Sequence, residues 1–164
     1  MVLGLSLPAF TLLHVAISLI AIAMGIVFFA ALGRGRWLGT LGSLFILFTV
    51  LTSVTGFFFP PKPIGPPFIF AVVSLVLLAI AHYANTVARV RGFWWQVFIV
   101  TALAAQWLNM VVLVVQSYQK IPALHRIAPT GSEPAVLLTQ GAVLLVILFF
   151  GWTSFRKPGA VPAR

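Results

Sequence analysis

Three side-chain amides interrupt an apolar stretch of about 27 residues that begins at Phe93. Gln106, Asn109 and Gln116 are separated by three and seven residues, so a helix places them on one face. Each amide can both donate and accept hydrogen bonds. A stripe of this kind can bind the polar groups of a ligand or of a neighbouring helix.

A second polar stripe lies near the N-terminus and contains a histidine. Thr11, His14 and Ser18 recur at spacings of three and four, and Ala21 and Gly25 continue the same face with small residues. A neutral imidazole can donate or accept a hydrogen bond, ligate a metal or haem iron, or relay a proton. One interpretation of this stripe is therefore a haem b or a quinone bound near His14.

Two further apolar segments carry polar side chains at a comparable depth. Thr52 and Ser53 come near the end of the second segment, and Gln140 comes near the start of the fifth. Polar groups inside hydrocarbon face the interior of a helix bundle. We therefore predict a polar pocket in the outer half of the membrane. Its predicted residues are Thr11, His14, Ser18, Thr52, Ser53, Gln106, Asn109, Gln116 and Gln140. The alternative is that these groups only form structural hydrogen bonds between helices.

The chain lacks the residues that most enzyme mechanisms require. It has no cysteine and a single acid, Glu133. These two facts exclude thiol catalysis, iron–sulfur clusters and paired-carboxylate hydrolysis. The GxSxG and HExxH motifs and a phosphate-binding glycine loop are also absent from the sequence. We predict no catalytic residue and no dedicated metal site, and an enzyme is not the favoured class.

Composition predicts that a bilayer surrounds most of the chain. The 164 residues are 62% hydrophobic and 7% charged, and the mean hydropathy is +1.15. Soluble domains carry about 25% charged residues. Five apolar segments are long enough to cross a core of roughly 30 Å at about 1.5 Å per residue. They span residues 7–32, 37–59, 67–88, 93–119 and 133–155.

Helices, and not a barrel, are predicted because these runs are continuously apolar, without alternation. The predicted fold is an all-α membrane protein, a bundle of five transmembrane helices in one domain over residues 1–155. A basic cytoplasmic tail follows at 156–164. The other helices are predicted to pack around the fourth. On the first helix, Leu12, Leu19 and Phe28 are predicted to face lipid. Four tryptophans near segment ends are predicted to form an interfacial belt: Trp37, Trp94, Trp95 and Trp152. Trp107 lies near the middle of its segment and is predicted to pack inside the bundle.

Two proline-rich connections are predicted to be ordered outer loops. The first contains Pro60, Pro61, Pro63, Pro66 and Pro67. The second spans residues 120–132 and is predicted to form one amphipathic turn, followed by Ser132 as the N-cap of the fifth helix. Apolar residues recur in it every three positions and are predicted to pack onto the bundle or into the membrane interface; they are Ile121, Leu124 and Ile127.

The net charge of +9 is distributed as a topology signal and does not indicate nucleic-acid binding. All ten Lys and Arg residues lie in the connections or the tail. One side carries Arg34, Arg36, Arg89, Arg91, Arg156, Lys157 and Arg164, and the other carries Lys62, Lys120 and Arg126. This bias predicts an outside N-terminus and a cytoplasmic C-terminus, with lipid headgroups as partners of the charges.

Two stretches of the chain resemble a group of small polytopic bacterial inner-membrane proteins without an assigned activity. They are TSVTGFFFP, at residues 52–60, and LVVQSYQKIPALHRIAPTGSEP, at residues 113–134. The resemblance covers most of the chain from about His14 onward. It implies a location in the bacterial cytoplasmic membrane and brings no activity with it.

Three classes of function follow from these patterns. The favoured one is a membrane protein that binds a small hydrophobic ligand or a membrane partner through the outer-half pocket. The second is a redox protein that holds haem b or quinone at His14. The third is a structural subunit of a larger membrane complex, and self-association into a homo-oligomer is also open.

The charge bias gives a first testable prediction. Green fluorescent protein fused to the C-terminus is expected to fluoresce, and alkaline phosphatase fused there is expected to be inactive, because the phosphatase matures only outside the cytoplasm. An active phosphatase fusion would overturn the predicted orientation.

Overall fold

The computed structural model describes residues 1–60 and 65–157, and helices dominate this part of the chain. The helices are α1 (Leu7–Gly33), α2 (Gly39–Gly56), α3 (Pro66–Thr86), α4 (Phe93–Lys120), α5 (Pro122–His125) and α6 (Pro134–Phe155). All of these except the single-turn α5 are long and apolar enough to cross a membrane. The predicted all-α membrane bundle is therefore confirmed, and the predicted span bounds differ from the helix bounds by at most three residues.

Successive spans run in opposite directions, which gives the bundle two distinct ends. The N-side end holds residues 1–6, the start of α3, α5 and the start of α6. The C-side end holds the α1–α2 connection, the α3–α4 connection and the end of α6. A residue's depth follows from its position along its helix at about 1.5 Å per residue.

Helix α4 occupies the centre of the bundle, as the sequence predicts. It contacts α1, α2, α3, α5 and α6. Of its most apolar 18-residue stretch, 56% is buried inside the protein, against 17% for the corresponding stretch of α6. The remaining helices form the wall around α4 and present most of their surface to lipid.

An aromatic cluster closes the C-side half of the bundle around Phe28. Its ring lies 5.1 Å from that of Phe29, 5.5 Å from that of Trp37 and 6.0 Å from that of Phe98. Gly42 of α2 makes room for it, because a Cβ there would lie 2.9 Å from the Phe28 ring. Rings at these separations favour edge-to-face packing, which all three pairs adopt.

The prediction that Phe28 faces lipid is wrong. Its side chain is 0% exposed, whereas Leu12, predicted to face lipid in the same way, is 72% exposed. The reason lies in the helical period: Phe28 follows Gly25 by three residues and so continues the stripe that begins at Thr11. The same stripe is polar at the N-side end and aromatic at the C-side end.

The predicted tryptophan belt holds at only two of its four positions. Trp94 and Trp152 are exposed at the ends of their helices. Trp95 is 2% exposed and lies 6.1 Å from the half-buried Trp37, so both indoles belong to the aromatic cluster and the interfacial prediction is wrong for them. Trp107 is half-buried and packs against the core, as predicted.

The connection between α4 and α6 contains the predicted helical turn, which is α5. Its buried side chain is Ala128, which packs with Val114 of α4 and Val136 of α6. Ile121 and Ile127 are exposed, so they do not pack onto the bundle, whereas Leu124 is half-buried. That Ile121 and Ile127 enter the membrane interface stays a prediction. Of the first proline loop, Pro61 and Pro63 lie outside the described residues, as do residues 158–164 of the tail.

Helix α6 begins one residue later than predicted. Its N-cap is Glu133 and not Ser132, because the Glu133 carboxylate is used in the preceding loop. The Thr130 N–H donates to Glu133 Oε1 at 2.8 Å, and the Thr130 hydroxyl donates to the same oxygen at 2.9 Å. These hydrogen bonds hold the pKa of the Glu133 carboxyl below its usual range, and the bond from the Thr130 N–H has the larger effect.

The aromatic cluster gives a second prediction. Phe28→Ala is expected to lower the free energy of unfolding by about 3–5 kcal/mol, because it leaves a cavity in a closed core. Phe93→Ala is the matched control, since Phe93 is 74% exposed, and it is expected to have little effect. Both are measured by denaturant unfolding in mixed micelles. Equal losses for the two variants would contradict the placement of Phe28.

Candidate ligand-binding site

The bundle is more densely packed in its C-side half than in its N-side half, which we call the open half because few residues of α1, α3, α4 and α6 are buried there. In α1 the only buried residue before Ala21 is Phe10. In α4 the buried residues are concentrated between Trp95 and Leu108, and beyond them Val114 alone is buried. Helices α3 and α6 follow the same pattern, with no buried residue before Ser74 in α3 and only Val136 in the first half of α6. The sequence predicts a pocket in this less densely packed half, and that pocket stays a prediction.

His14 lies in this open half and joins α1 to α2. Its Nδ1 is 2.7 Å from Thr55 Oγ1, and its ring stands edge-on to Phe59 at 5.1 Å. Thr55 Oγ1 is also 2.7 Å from the Leu51 carbonyl, to which it donates. Because a hydroxyl carries one proton, Thr55 then accepts from the Nδ1–H of His14. This assigns the Nδ1–H tautomer and leaves Nε2 as an acceptor without a partner in the described chain.

Three of the predicted site residues bond only to their own helix. The hydroxyls of Thr11, Ser18 and Thr52 donate to the carbonyls four residues earlier, at 2.7–2.9 Å. Such bonds satisfy a hydroxyl without a partner helix. Thr11, Ser18 and Thr52 remain half-buried, so their oxygens keep further acceptor capacity toward the opening. Ser53 is buried on the inner face of α2.

Gln106 joins α4 to α1 at a deeper level than His14. Its Nε2 donates to the Ile22 carbonyl at 3.1 Å, and the side chain is completely buried. Its Oε1 occupies the space in which a Cβ of residue 25 would lie, so only glycine fits at that position. Ile22 follows His14 by eight residues, which is about 12 Å along the axis. Gln106 and His14 therefore belong to separate contacts.

A third polar contact joins α4 to α6. Gln140 Nε2 donates to the Val111 carbonyl at 3.1 Å. One turn nearer the N-side end, the Tyr118 hydroxyl lies 2.9 Å from Thr139 Oγ1 and 3.3 Å from the Ala135 carbonyl. Thr139 donates its own proton to Ala135 O at 2.8 Å, so Tyr118 is the donor in the hydroxyl pair. The sequence-based site omits Tyr118, although its position two residues after Gln116 places it at the same end of α4.

Asn109 and Gln116 are half-buried on α4 in the open half. The Nδ2 of Asn109 is enclosed and makes no hydrogen bond within the described residues. An unpaired amide donor in an apolar setting costs about 1–3 kcal/mol. A bound group with an accepting oxygen that reached Nδ2 would remove this cost.

The structure therefore distributes the predicted residues over three helix interfaces. His14 serves the α1–α2 contact, Gln106 the α1–α4 contact and Gln140 the α4–α6 contact. In the open half, His14 Nε2 and Asn109 Nδ2 are polar atoms without a hydrogen-bond partner among the described residues.

Comparisons of the chain with protein-family models, with curated proteins and with solved structures find no match.

The Gln106 contact gives a third prediction. Gly25→Ala is expected to lower the free energy of unfolding by about 1–3 kcal/mol, because its Cβ collides with a buried amide that cannot move aside. Gly141→Ala is the matched control: no atom lies within 4 Å of its added Cβ, and helix propensity predicts a gain of about 0.5–1 kcal/mol.

A double-mutant cycle identifies the colliding group. If Gln106 is the obstacle, adding Gln106→Ala makes the cost of Gly25→Ala much smaller than in the wild-type background. Costs that simply add would show that Gly25 and Gln106 are not in contact.

Proposed function

We propose that this multi-pass membrane protein binds a small hydrophobic ligand with a polar head in the open N-side half of its bundle. The observation that supports this most directly is the packing gradient: most positions of α4 between Trp95 and Leu108 are buried, whereas from Asn109 to Tyr118 only Val114 is buried and the other residues are half-buried. In a bilayer such an opening is filled by apolar molecules, and unpaired polar atoms in it select those with complementary heads.

The two anchors define the head group of the ligand. Asn109 Nδ2 supplies a donor, which suits a carbonyl or ether oxygen. His14 Nε2 supplies an acceptor, which suits a hydroxyl, because Nδ1–H is committed to Thr55. A hydroxyl suits His14 and a carbonyl or ether oxygen suits Asn109, whereas a purely hydrocarbon chain pairs with neither atom.

The membrane and the orientation form part of the same proposal. The seven-to-three distribution of Lys and Arg supports a cytoplasmic C-side end, and the sequence resemblance supports the bacterial cytoplasmic membrane. The opening then faces the outer leaflet. Ligands would reach it from the outer leaflet or the periplasm, beside α5 and the start of α3.

A redox role at His14 is the second candidate, and the tautomer is the observation that favours it. An imidazole that ligates iron commonly donates its other N–H to an oxygen, as His14 donates to Thr55. The fit is incomplete, because His82 lies near the C-side end of α3 and cannot supply a second imidazole at the depth of His14. A single axial ligand at Nε2, or a quinol hydroxyl donating to it, remains compatible with these residues.

A fourth prediction tests the ligand proposal. Protein extracted with native lipids is expected to retain a stoichiometric amphiphile, identified by mass spectrometry of an organic extract. Asn109→Leu is expected to lose most of it, because the donor that pairs its head is removed. Gln119→Leu is the matched control, since Gln119 is exposed on the same helix.

The outcomes separate the three classes of function. Equal retention by both variants, or no enriched molecule in the wild type, would count against ligand binding. A Soret band in the purified protein that disappears in His14→Phe would support the redox candidate instead. Stoichiometric copurification of another chain, without an enriched amphiphile, would support a structural subunit.

A further inference from the structure

A shallow cavity of about 310 Å³ lies at the C-side end, opposite the proposed ligand site. Its lining residues are Gly33, Trp152, Thr153, Arg156 and Lys157. Helices α1 and α6 touch at its floor, because a Cβ on Gly33 would lie only 2.6 Å from Thr153 Oγ1. The end of α6 carries two cations over this floor.

The cations around the cavity are held in place by neutral groups. The Arg156 guanidinium lies 4.7 Å from the centre of the Trp152 ring. The Lys157 side chain passes over Gly35, with its Cδ 3.8 Å from the position of a Cβ there. Arg34 and Arg36 flank that glycine in the α1–α2 connection. The cavity therefore sits within a group of four basic residues from two chain segments.

No acidic side chain can neutralise this group. The sequence contains one acid, Glu133, and it caps the opposite end of α6. The 22 residues of α6 separate it from Arg156 by about 33 Å, at about 1.5 Å per residue. At that distance their attraction is largely screened. Arg156 and Lys157, the two cations that line the cavity, repel each other, so their placement favours a bound external anion.

The surface below the cations identifies the kind of anion. Leu145, Phe149, Trp152 and Arg156 fall at spacings of four, three and four, so they share one face of α6. All four are exposed, and the Phe149 and Trp152 rings are 6.3 Å apart. This face changes from aliphatic through aromatic to cationic toward the C-side end. An anionic diacyl lipid changes in the same order, from acyl chain to phosphate.

We propose that this site binds the phosphate of an anionic membrane lipid, with Arg156 and Lys157 on the headgroup and the Leu145–Trp152 face against an acyl chain. Basic pockets between transmembrane helices recognise such headgroups. The site is independent of the proposed ligand-binding function, because it lies at the other end of the bundle and uses none of its residues.

The test is a thermal-shift titration of the full-length protein in neutral detergent with dioctanoyl phosphatidylglycerol. Removing one basic residue from a contact with a lipid headgroup raises the apparent Kd by about fivefold. Arg156→Gln/Lys157→Gln is therefore expected to weaken the apparent Kd by about 25-fold. Lys120→Gln/Arg126→Gln removes the same charge at the N-side end and is expected to change it by less than about twofold. Arg156→Lys keeps the charge and is expected to retain most of the affinity.

The controls distinguish a lipid site from a free-anion site and from attraction by net charge. Dioctanoyl phosphatidylcholine and inorganic phosphate are each expected to bind at least about tenfold more weakly, because one has no net charge and the other has no acyl chain. Phosphate binding as tight as that of the lipid would indicate a free-anion site and overturn the proposal. Equal losses in the two double variants would also overturn it, because they would show only attraction by net charge. All variants are first compared without lipid, where unchanged melting temperatures are expected since the substituted side chains are exposed.

Discussion

A single buried carboxamide fixes how the two most enclosed helices meet. Gln106 reaches from α4 to the backbone of α1, and Gly25 leaves the space for it. Burying an amide with one oxygen unpaired costs about 1–3 kcal/mol, and an interhelical hydrogen bond in a membrane returns about 0.6 kcal/mol. Gly25 also lets the Gln106 amide and the Phe45 ring of α2 pack directly against α1, and dispersion in these contacts offsets part of the cost. A shift of α1 along α4 would place a side chain against the amide, so this contact sets the register of the bundle.

The same contact marks the boundary between two physical regimes. Toward the C-side, aromatic rings interlock around Phe28 and leave little accessible surface. Toward the N-side, the helices are connected by polar contacts at His14 and at Tyr118 and by a smaller apolar cluster of Val114, Ala128 and Val136, with half-buried surface between them. Dense aromatic packing and sparser contacts have different consequences. The first specifies one arrangement of helices, and the second constrains the helices less tightly.

The sequence predicts the spans well because each depends on a long apolar run that no other fold could satisfy in hydrocarbon. It predicts the central position of α4 from the three amides. It does not predict which interface each polar residue joins, since Gln106 and Asn109 share a helix face and yet only Gln106 finds a partner in the described chain. The burial of Phe28 can be predicted from the sequence, because its spacing from Gly25 continues the stripe. The burial of Trp95 cannot, because a position near a helix end does not reveal whether a neighbouring connection folds over the ring.

The packing gradient also has a consequence for motion. Segments with few buried contacts open at lower free energy than a well-packed core. The C-side half of the bundle is therefore expected to be more rigid than the N-side half. Helices α1 and α6 would swing about their tight contacts at Gly33 and Gly151 while the aromatic base stays closed. Such rigid-body excursions of packed helices occur in microseconds to milliseconds. We therefore expect the N-side halves of these helices to move more than the aromatic C-side half.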